Sequence, residues 1–279
     1  MIQKSYNDTA SLYLIPTPIG NLDDITVRSL NTLKTVDVIL CEDTRDTSLL
    51  LSHYDIKKKL ISCHEYNEDK IIDNVVSMLK DGLNIGLVTD QGTPIISDPG
   101  YIVSRGVIEA GYNVISLPGA TAFVPALTIS GIEPSPFMFY GFLNSKNSKQ
   151  IEELKSLKDY KYTIIFYEAV HRIKNTLENM LEVFGDRNIA VCRELSKIHE
   201  EVCRDKISNV IPLVDSMKGE FVIVVEGNKD IVDYSNLDIV EHVKMYVDDG
   251  MSEKDAVKLV AKERGVAKSI IYNEYHNRK

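Results

Sequence analysis

Between residues 11 and 118, short apolar runs alternate with segments whose apolar residues recur at helical spacing. The runs SLYLIP, VDVILC, KLISC, NIGLVTD and NVISLP are mostly apolar or β-branched and too short for helices, so they read as strands. Segments 24–34, 43–54, 67–79 and 101–110 read as helices; in the third, Ile71, Ile72, Val75, Val76 and Leu79 fall on one face. Such alternation predicts a parallel sheet with a helix able to cover each part of its faces.

After Pro118 the rhythm changes. PGATAFVPALTISG and the proline-broken IEPSPF separate the first sheet from a new set of elements, which puts a boundary within 121–136. The new set reads as strand FMFYGF, a lysine-rich helix over 148–157, strand YTIIFYE, a helix over 171–184, and strands NIAVCREL, HEEVCRDKI and GEFVIVVEG. Two adjacent strands around the SKI turn predict a mixed sheet. Beyond Asn228 come a polar stretch and helical patterns over 239–247, 253–264 and 267–275. The expected division is therefore 1–122, a parallel-sheet α/β domain; 123–228, a mixed-sheet α/β domain; and 229–279, a helical extension.

A net charge of −9 repels a polyanion overall, so an anionic partner has to be met by a local basic patch; the stretch from Lys146 to Lys161 is a candidate. The four cysteines form no C-x-x-C pair, and Cys41, Cys63 and Cys192 end or sit within apolar runs, as expected for reduced core thiols in a cytoplasmic protein. No segment approaches the roughly 18 apolar residues of a membrane span, and the start has no apolar stretch behind its lysine. The chain reads as soluble and untargeted.

Candidate chemistry gathers after the strands of the first sheet, the edge at which open α/β sheets bind ligands. Four loops there carry Thr17-Pro18-Ile19-Gly20-Asn21, Glu42-Asp43-Thr44-Arg45, Asp90-Gln91-Gly92-Thr93-Pro94 and Pro118-Gly119-Ala120-Thr121-Ala122, the third running on to Gly100. Glycine allows close backbone approach, proline fixes loop shape and threonine offers a hydroxyl, a combination suited to a nucleoside-like cofactor. One such loop alone is ordinary turn chemistry; four on one edge are not. There is no G-x-G-x-x-G after the first strand, no P-loop, no H-E-x-x-H and no G-x-S-x-G, so no metal is expected and neither a dinucleotide fold nor a serine hydrolase is indicated. A second charged edge holds Phe166-Tyr167-Glu168-Ala169-Val170-His171-Arg172 and Arg193-Glu194-Leu195-Ser196-Lys197, followed by His199-Glu200-Glu201. Surface ion pairs are the plain alternative for any one of these charges; grouped at strand ends, they suit the wall of an interdomain cleft.

In this order, these motifs closely resemble the ribosomal RNA small subunit methyltransferase I family, of the tetrapyrrole-methylase-like superfamily, from about residue 12 to 227. The resemblance implies a class III methyltransferase fold: two α/β domains with S-adenosylmethionine in the cleft between them, usually as a homodimer. It implies methyl transfer to the ribose 2′-hydroxyl of a cytidine in the decoding region of 16S ribosomal RNA, within the 30S subunit. By position, Asp90, Gly92, Thr93 and Pro94 match one cofactor cradle and Thr121 and Ala122 a second, with Glu168 and Leu195 at the nucleoside half. Asn21, Arg45, His171, Arg172 and Glu200 are candidate RNA contacts. Gln91 stands where the family prefers alanine, Ala120-Thr121 where it prefers proline and serine, and Ala169-Val170 where it prefers serine and proline; the last alters the rigidity of the loop carrying His171 and Arg172. In-line attack on an activated methyl needs positioning and a proton acceptor. Lys197, Asp43 and Glu194 are the candidates, Lys197 acting as a base only if its pKa falls and otherwise as a cation for phosphate. A porphyrinoid or diphthine methyltransferase would share the cleft and differ in acceptor; a non-catalytic RNA-binding or assembly protein would use the loops structurally.

Overall fold

The computed structural model describes residues 3–5, 9–215, 217–229, 234 and 237–278; part of the N-terminal start and much of the polar stretch after Asn228 lie outside them. Elements β1 (Ser11–Leu14), α1 (Val27–Thr35), β2 (Val38–Cys41), α2 (Thr44–His53), β3 (Lys59–Ser62), α3 (Glu68–Lys80), β4 (Ile85–Val88), α4 (Tyr101–Glu109) and β5 (Asn113–Ser116) form the first lobe. Its sheet has the order β3-β2-β4-β1-β5 and is parallel throughout, as the alternating pattern predicts. Helices α1 and α2 bury Leu33 and Leu51 against one face, and α3 and α4 bury Val75, Leu79, Val103 and Val107 against the other. Short polar side chains start the helices on the first face: Thr26 accepts the Ser29 N–H ahead of α1, and Asp43 accepts the Arg45 N–H ahead of α2.

The second lobe follows through α5 (Phe123–Ile129), a helix in the segment read as a linker. It is short and carries Pro125, tolerated in a first turn where no intrahelical N–H bond is lost. Then come β6 (Phe137–Phe142), α6 (Asn147–Leu157), β7 (Thr163–Ala169), α7 (Ile173–Phe184), β8 (Asn188–Arg193), β9 (Glu201–Lys206), α8 (Ile207–Val214) and β10 (Glu220–Val225). Strand order is β6-β7-β10-β8-β9, with β6 and β7 parallel and the other pairs antiparallel, which is the expected mixed sheet. Helix α8 begins at Ile207, read from sequence as the end of a strand. Its VIPLV run is apolar enough for either state, and burial of Ile207, Val210 and Val214 on one side selects the helix.

Side chains of β10 alternate between two cores. Phe221, Ile223 and Val225 pack with α6, α7 and α8, whereas Val222 and Val224 face Ala126 and Leu127 of α5 and Ile19 of the first lobe. The expected division at residue 122 thus falls between two sheets inside one compact unit, Met1–Asn228; Lys229–Lys279 form the other. That second unit holds α9 (Ile239–Asp248), α10 (Glu253–Glu263) and α11 (Lys268–Arg278) around Val243, Val257, Val260, Ile271 and Tyr275.

Two sheet edges are closed by polar groups. The Val114 N–H donates to Gln3 Oε1 at 3.1 Å and Gln3 Nε2 donates to the Val114 carbonyl at 2.9 Å, while β9 bears Glu201, Arg204, Asp205 and Lys206. All four cysteines are free thiols. Among the described residues no helix is long and apolar enough to cross a membrane. Phe166 of β7 is fully buried in the core between the second sheet and its helices, so Phe166→Ala should cost about 3–5 kcal/mol, read as a lower urea midpoint at unchanged slope.

Candidate functional site

Because all strands of the first sheet run the same way, the loops after β1, β2, β4 and β5 emerge at one edge. They are stitched to one another. Thr17 and Gly92 exchange backbone hydrogen bonds of 2.9 and 3.1 Å, and the Thr17 hydroxyl donates to the Thr89 carbonyl. The Thr93 hydroxyl lies 2.8 Å from the Ala120 carbonyl and 2.6 Å from the Thr121 hydroxyl, joining the third loop to the fourth. Gly119 lies so close to Pro16 that a Cβ there would sit 2.4 Å from the ring, and Ile95 and Ser97 hold left-handed conformations.

These loops form one wall of a cleft of about 570 Å³, and the second lobe forms the other. Ile19, Leu195, Phe221 and Val222 supply apolar surface, with Phe142 and Tyr167 beside them. The Tyr167 hydroxyl accepts the Phe123 N–H at 3.2 Å; burial pushes its pKa up to about 12, so the phenol stays neutral. The first-lobe wall also carries Glu42, Asp90 and Asp98. Burial raises the pKa of each. Repulsion from Asp90 adds to the rise at Glu42, and repulsion from Glu42 and Asp90 takes Asp98 up to about 7. Crowded acids with apolar surface opposite suit a ligand that carries positive charge and a flat apolar ring system.

A second cluster lies where the lobes touch. Lys197 Nζ is 3.1 Å from Glu194 Oε1 and 2.8 Å from Glu220 Oε2. Burial pulls the ammonium pKa down, but both carboxylate partners pull it up by more, so Lys197 stays protonated. Its stem crosses Gly20 of the first lobe, where a Cβ would lie 2.3 Å from Cγ and the φ of +142° excludes most side chains. Ser196 donates its hydroxyl to Asp24 and its N–H to Glu200 Oε2 at 2.7 Å. Burial alone would raise the Glu194 pKa; the Glu220 N–H and the Lys197 ammonium turn the net shift downward. Glu194 and Ser196 both have positive φ, so the turn holds backbone strain.

Of the sequence-derived cofactor residues, Asp90, Gly92, Thr93, Thr121, Ala122, Glu168 and Leu195 line the cleft, whereas Pro94 is buried and not part of the lining. The catalytic candidates stand off its lining. Asp43 is paired with Arg45 through contacts of 3.1 and 2.5 Å, which hold its carboxyl well below the usual range; its N–H reaches Asp90 at 3.1 Å. Asn21 uses its side chain to cap the turn at Asp23, His171 and Glu200 are exposed, and Arg172 pairs with Glu168 at 2.6 Å. The sequence pattern does not mark Glu42 or Glu220: Glu42 lies within the Glu42-Asp43-Thr44-Arg45 motif without a distinguishing feature of its own, and Glu220 opens an apolar strand that reads only as core. Among the described residues there is no group of three or more metal-ligating side chains.

The sequence pattern of the family described as Tetrapyrrole (Corrin/Porphyrin) Methylases matches residues 11–211. The protein named Ribosomal RNA small subunit methyltransferase I in Bacillus subtilis (strain 168) is 47% identical, covering 98% of each chain. The chain belongs to the ribosomal RNA small subunit methyltransferase I family of tetrapyrrole methylases. The protein of that name in Haemophilus influenzae is 41% identical over 95% of each chain. Among solved structures, uroporphyrin-III-C-methyltransferase from Thermus thermophilus superimposes with a TM-score of 0.55 at 17% identity, covering 78% of this chain and 94% of that one. Diphthine synthase gives 0.58 at 12%, covering 78% and 90%. At those identities the likeness is one of class III methyltransferase fold.

Asp98 gives the cleft a pH signature. With a carboxyl pKa of about 7 in the folded chain against an ordinary 3.8, the native state keeps a proton that the unfolded chain has lost. Stability therefore falls as pH rises from about 4 to about 7. Asp98→Asn should flatten that decline in urea midpoints measured across the window; an unchanged slope would remove Asp98 as its source.

Proposed function

We propose that this protein transfers the methyl group of S-adenosylmethionine to the ribose 2′-hydroxyl of a cytidine in the decoding region of 16S ribosomal RNA. The observation that carries this reading is the joint occurrence of an acidic, apolar-backed cleft and near-full-length identity to relatives named for small-subunit ribosomal RNA methylation. Glu42, Asp90 and Asp98 would face the positive charges of the cofactor, Ile19, Leu195 and Val222 would pack on its base, and the Thr93–Thr121 contact would hold the backbone of both cradle loops beside it. The cofactor, when bound, supplies a methyl group already activated by its sulfonium.

What remains for the chain is positioning. A protonated Lys197 is unsuited to be a base and suited to an anionic backbone, as a fixed cation at the junction of the lobes. Asp43 and Glu194, held ionised by their partners, are weak bases, which supports a mechanism dominated by orientation of the hydroxyl. The need for a 2′-hydroxyl discriminates against DNA. With a net charge of −9, RNA has to dock on local basic surface; exposed Lys146, Lys149, Lys155 and Lys158 on and beside α6 supply one. A homodimer working in the cytoplasm on 30S particles completes the reading, and light scattering at micromolar concentration checks the dimer.

Calorimetry with S-adenosylmethionine tests the cofactor, and ribose-methylation mapping of 16S RNA from a strain lacking the protein tests the acceptor, where one 2′-O-methylcytidine should disappear. Thr93→Tyr should abolish cofactor binding in a folded protein; unchanged affinity would take this loop out of the site. Lys197→Ala should slow single-turnover transfer to 30S particles by about 100-fold or more with little change in cofactor affinity. Near wild-type transfer would reduce Lys197 to a brace between the lobes.

A further inference from the structure

A file of buried polar side chains crosses the second lobe from the cleft wall to the surface, and the chemistry proposed above makes no use of it. It begins at Glu168, which is 2% exposed. Oε1 accepts the Ala169 N–H at 2.7 Å and Arg172 Nε at 2.8 Å, and Oε2 accepts the Thr176 hydroxyl at 2.6 Å. Thr176 accepts from Gln150 Nε2 at 3.1 Å; Gln150 Oε1 accepts from Asn179 Nδ2 at 2.5 Å; and Asn179 and Asn175 donate to Asn147 Oδ1 at 2.7 and 3.0 Å. From Asn179 through Gln150 and Thr176, each donor points toward the carboxylate. A charge at one end fixes that polarity, and each bond polarises the next.

Such a file is a poor way to gain stability. Burying a carboxylate with its guanidinium carries a desolvation cost that packed apolar side chains avoid, and the surrounding core is otherwise built from them. Its ends show what it joins. At one end Glu168, Ala169 and Val170 line the cleft, and Arg172 also reaches the Leu143 carbonyl at 3.4 Å, next to cleft-lining Phe142. At the other end Asn147 opens α6 between the exposed Lys146 and Lys149. The segments 143–147, from the end of β6 into α6, and 169–172, after β7, are thereby tied to one set of hydrogen bonds.

We infer that Thr176, Gln150 and Asn179 are positioning residues that couple a phosphate-bearing RNA strand docked on Lys146 and Lys149 to the orientation of loop 169–172 at the cleft. Glu168 accordingly acts through this loop, its carboxylate fully engaged by protein donors. The inference rests on the RNA reading given above.

A double-mutant cycle tests it, with wild-type 30S particles as substrate at saturating S-adenosylmethionine. The double variant Lys146→Ala/Lys149→Ala should raise KM about tenfold in the wild-type background and at most about twofold in Thr176→Val, with kcat little changed by the lysine substitutions in either. Thr176→Ser, which restores the hydroxyl, should restore the full tenfold effect, and cofactor affinity by calorimetry should be the same in all variants. Gln150→Leu cuts the file one link further from Glu168 and should reproduce the loss of coupling, so a poorly folding Thr176→Val does not end the test. Equal effects of the lysine substitutions in both backgrounds, or no effect on KM in the wild type, would overturn the coupling. A wild-type protein that transfers no methyl group to 30S particles would overturn the functional reading itself.

Discussion

A sheet with two apolar faces has to be covered on both, and in the second lobe the three helices interspersed with the strands cover only one. Helices α6, α7 and α8 bury the face formed by Phe166, Val191 and Ile223. The opposite face, with Ile165, Cys192 and Val224, is covered by α5 and by Ile19 from the loop after β1. This borrowed cover brings the first lobe's ligand-type loops against the second sheet. The cleft opens beside that contact, lined by Ile19 and Leu195 from loops together with Tyr167 and Val222 from the sheet.

Electrostatics divide the cleft accordingly. The first-lobe wall gathers three carboxyls whose ionisation burial opposes, and the second-lobe wall holds its buried carboxylate, Glu168, neutralised by Arg172 and two further donors. At the junction, strained turn residues carry Lys197 across Gly20 and Ser196 onto Asp24. The three regions thus differ in charge state: crowded acids on one wall, a carboxylate paired with Arg172 on the other, and at the junction an ammonium held between Glu194 and Glu220.

Strand and helix positions in the first lobe were legible because each element has a clean period and is bounded by glycine, proline or a capping side chain. Mixed pairing in the second sheet was legible for a local reason, the short turn joining β8 and β9. Helices α5 and α8 were not: both are brief, apolar and contain proline, and only the sheet face each covers decides their state. The loops that line the cleft were readable as a group because backbone geometry restricts their residues, as at Gly119 against Pro16. Glu220 and the Glu168–Asn147 file were not, since they depend on the antiparallel register of β10 and on side chains from two helices meeting inside a core. No spacing along the chain encodes that meeting.

An outer strand with unsatisfied backbone groups is a template on which another chain can pair, and both lobes end in such strands. One lobe satisfies Val114 of β5 with the amide of Gln3, a side chain standing in for one more strand. The other places charges of both signs along β9, so a chain adding there has to match that pattern or bury it. Newly made chains are most exposed to aggregation before their lobes close, and these two guards differ in timing. Charge on β9 repels a mismatched neighbour as soon as the strand exists, whereas the Gln3 plug waits for the N-terminal segment to return to β5, leaving the parallel sheet as the stage at which self-association of unfinished molecules has its opening.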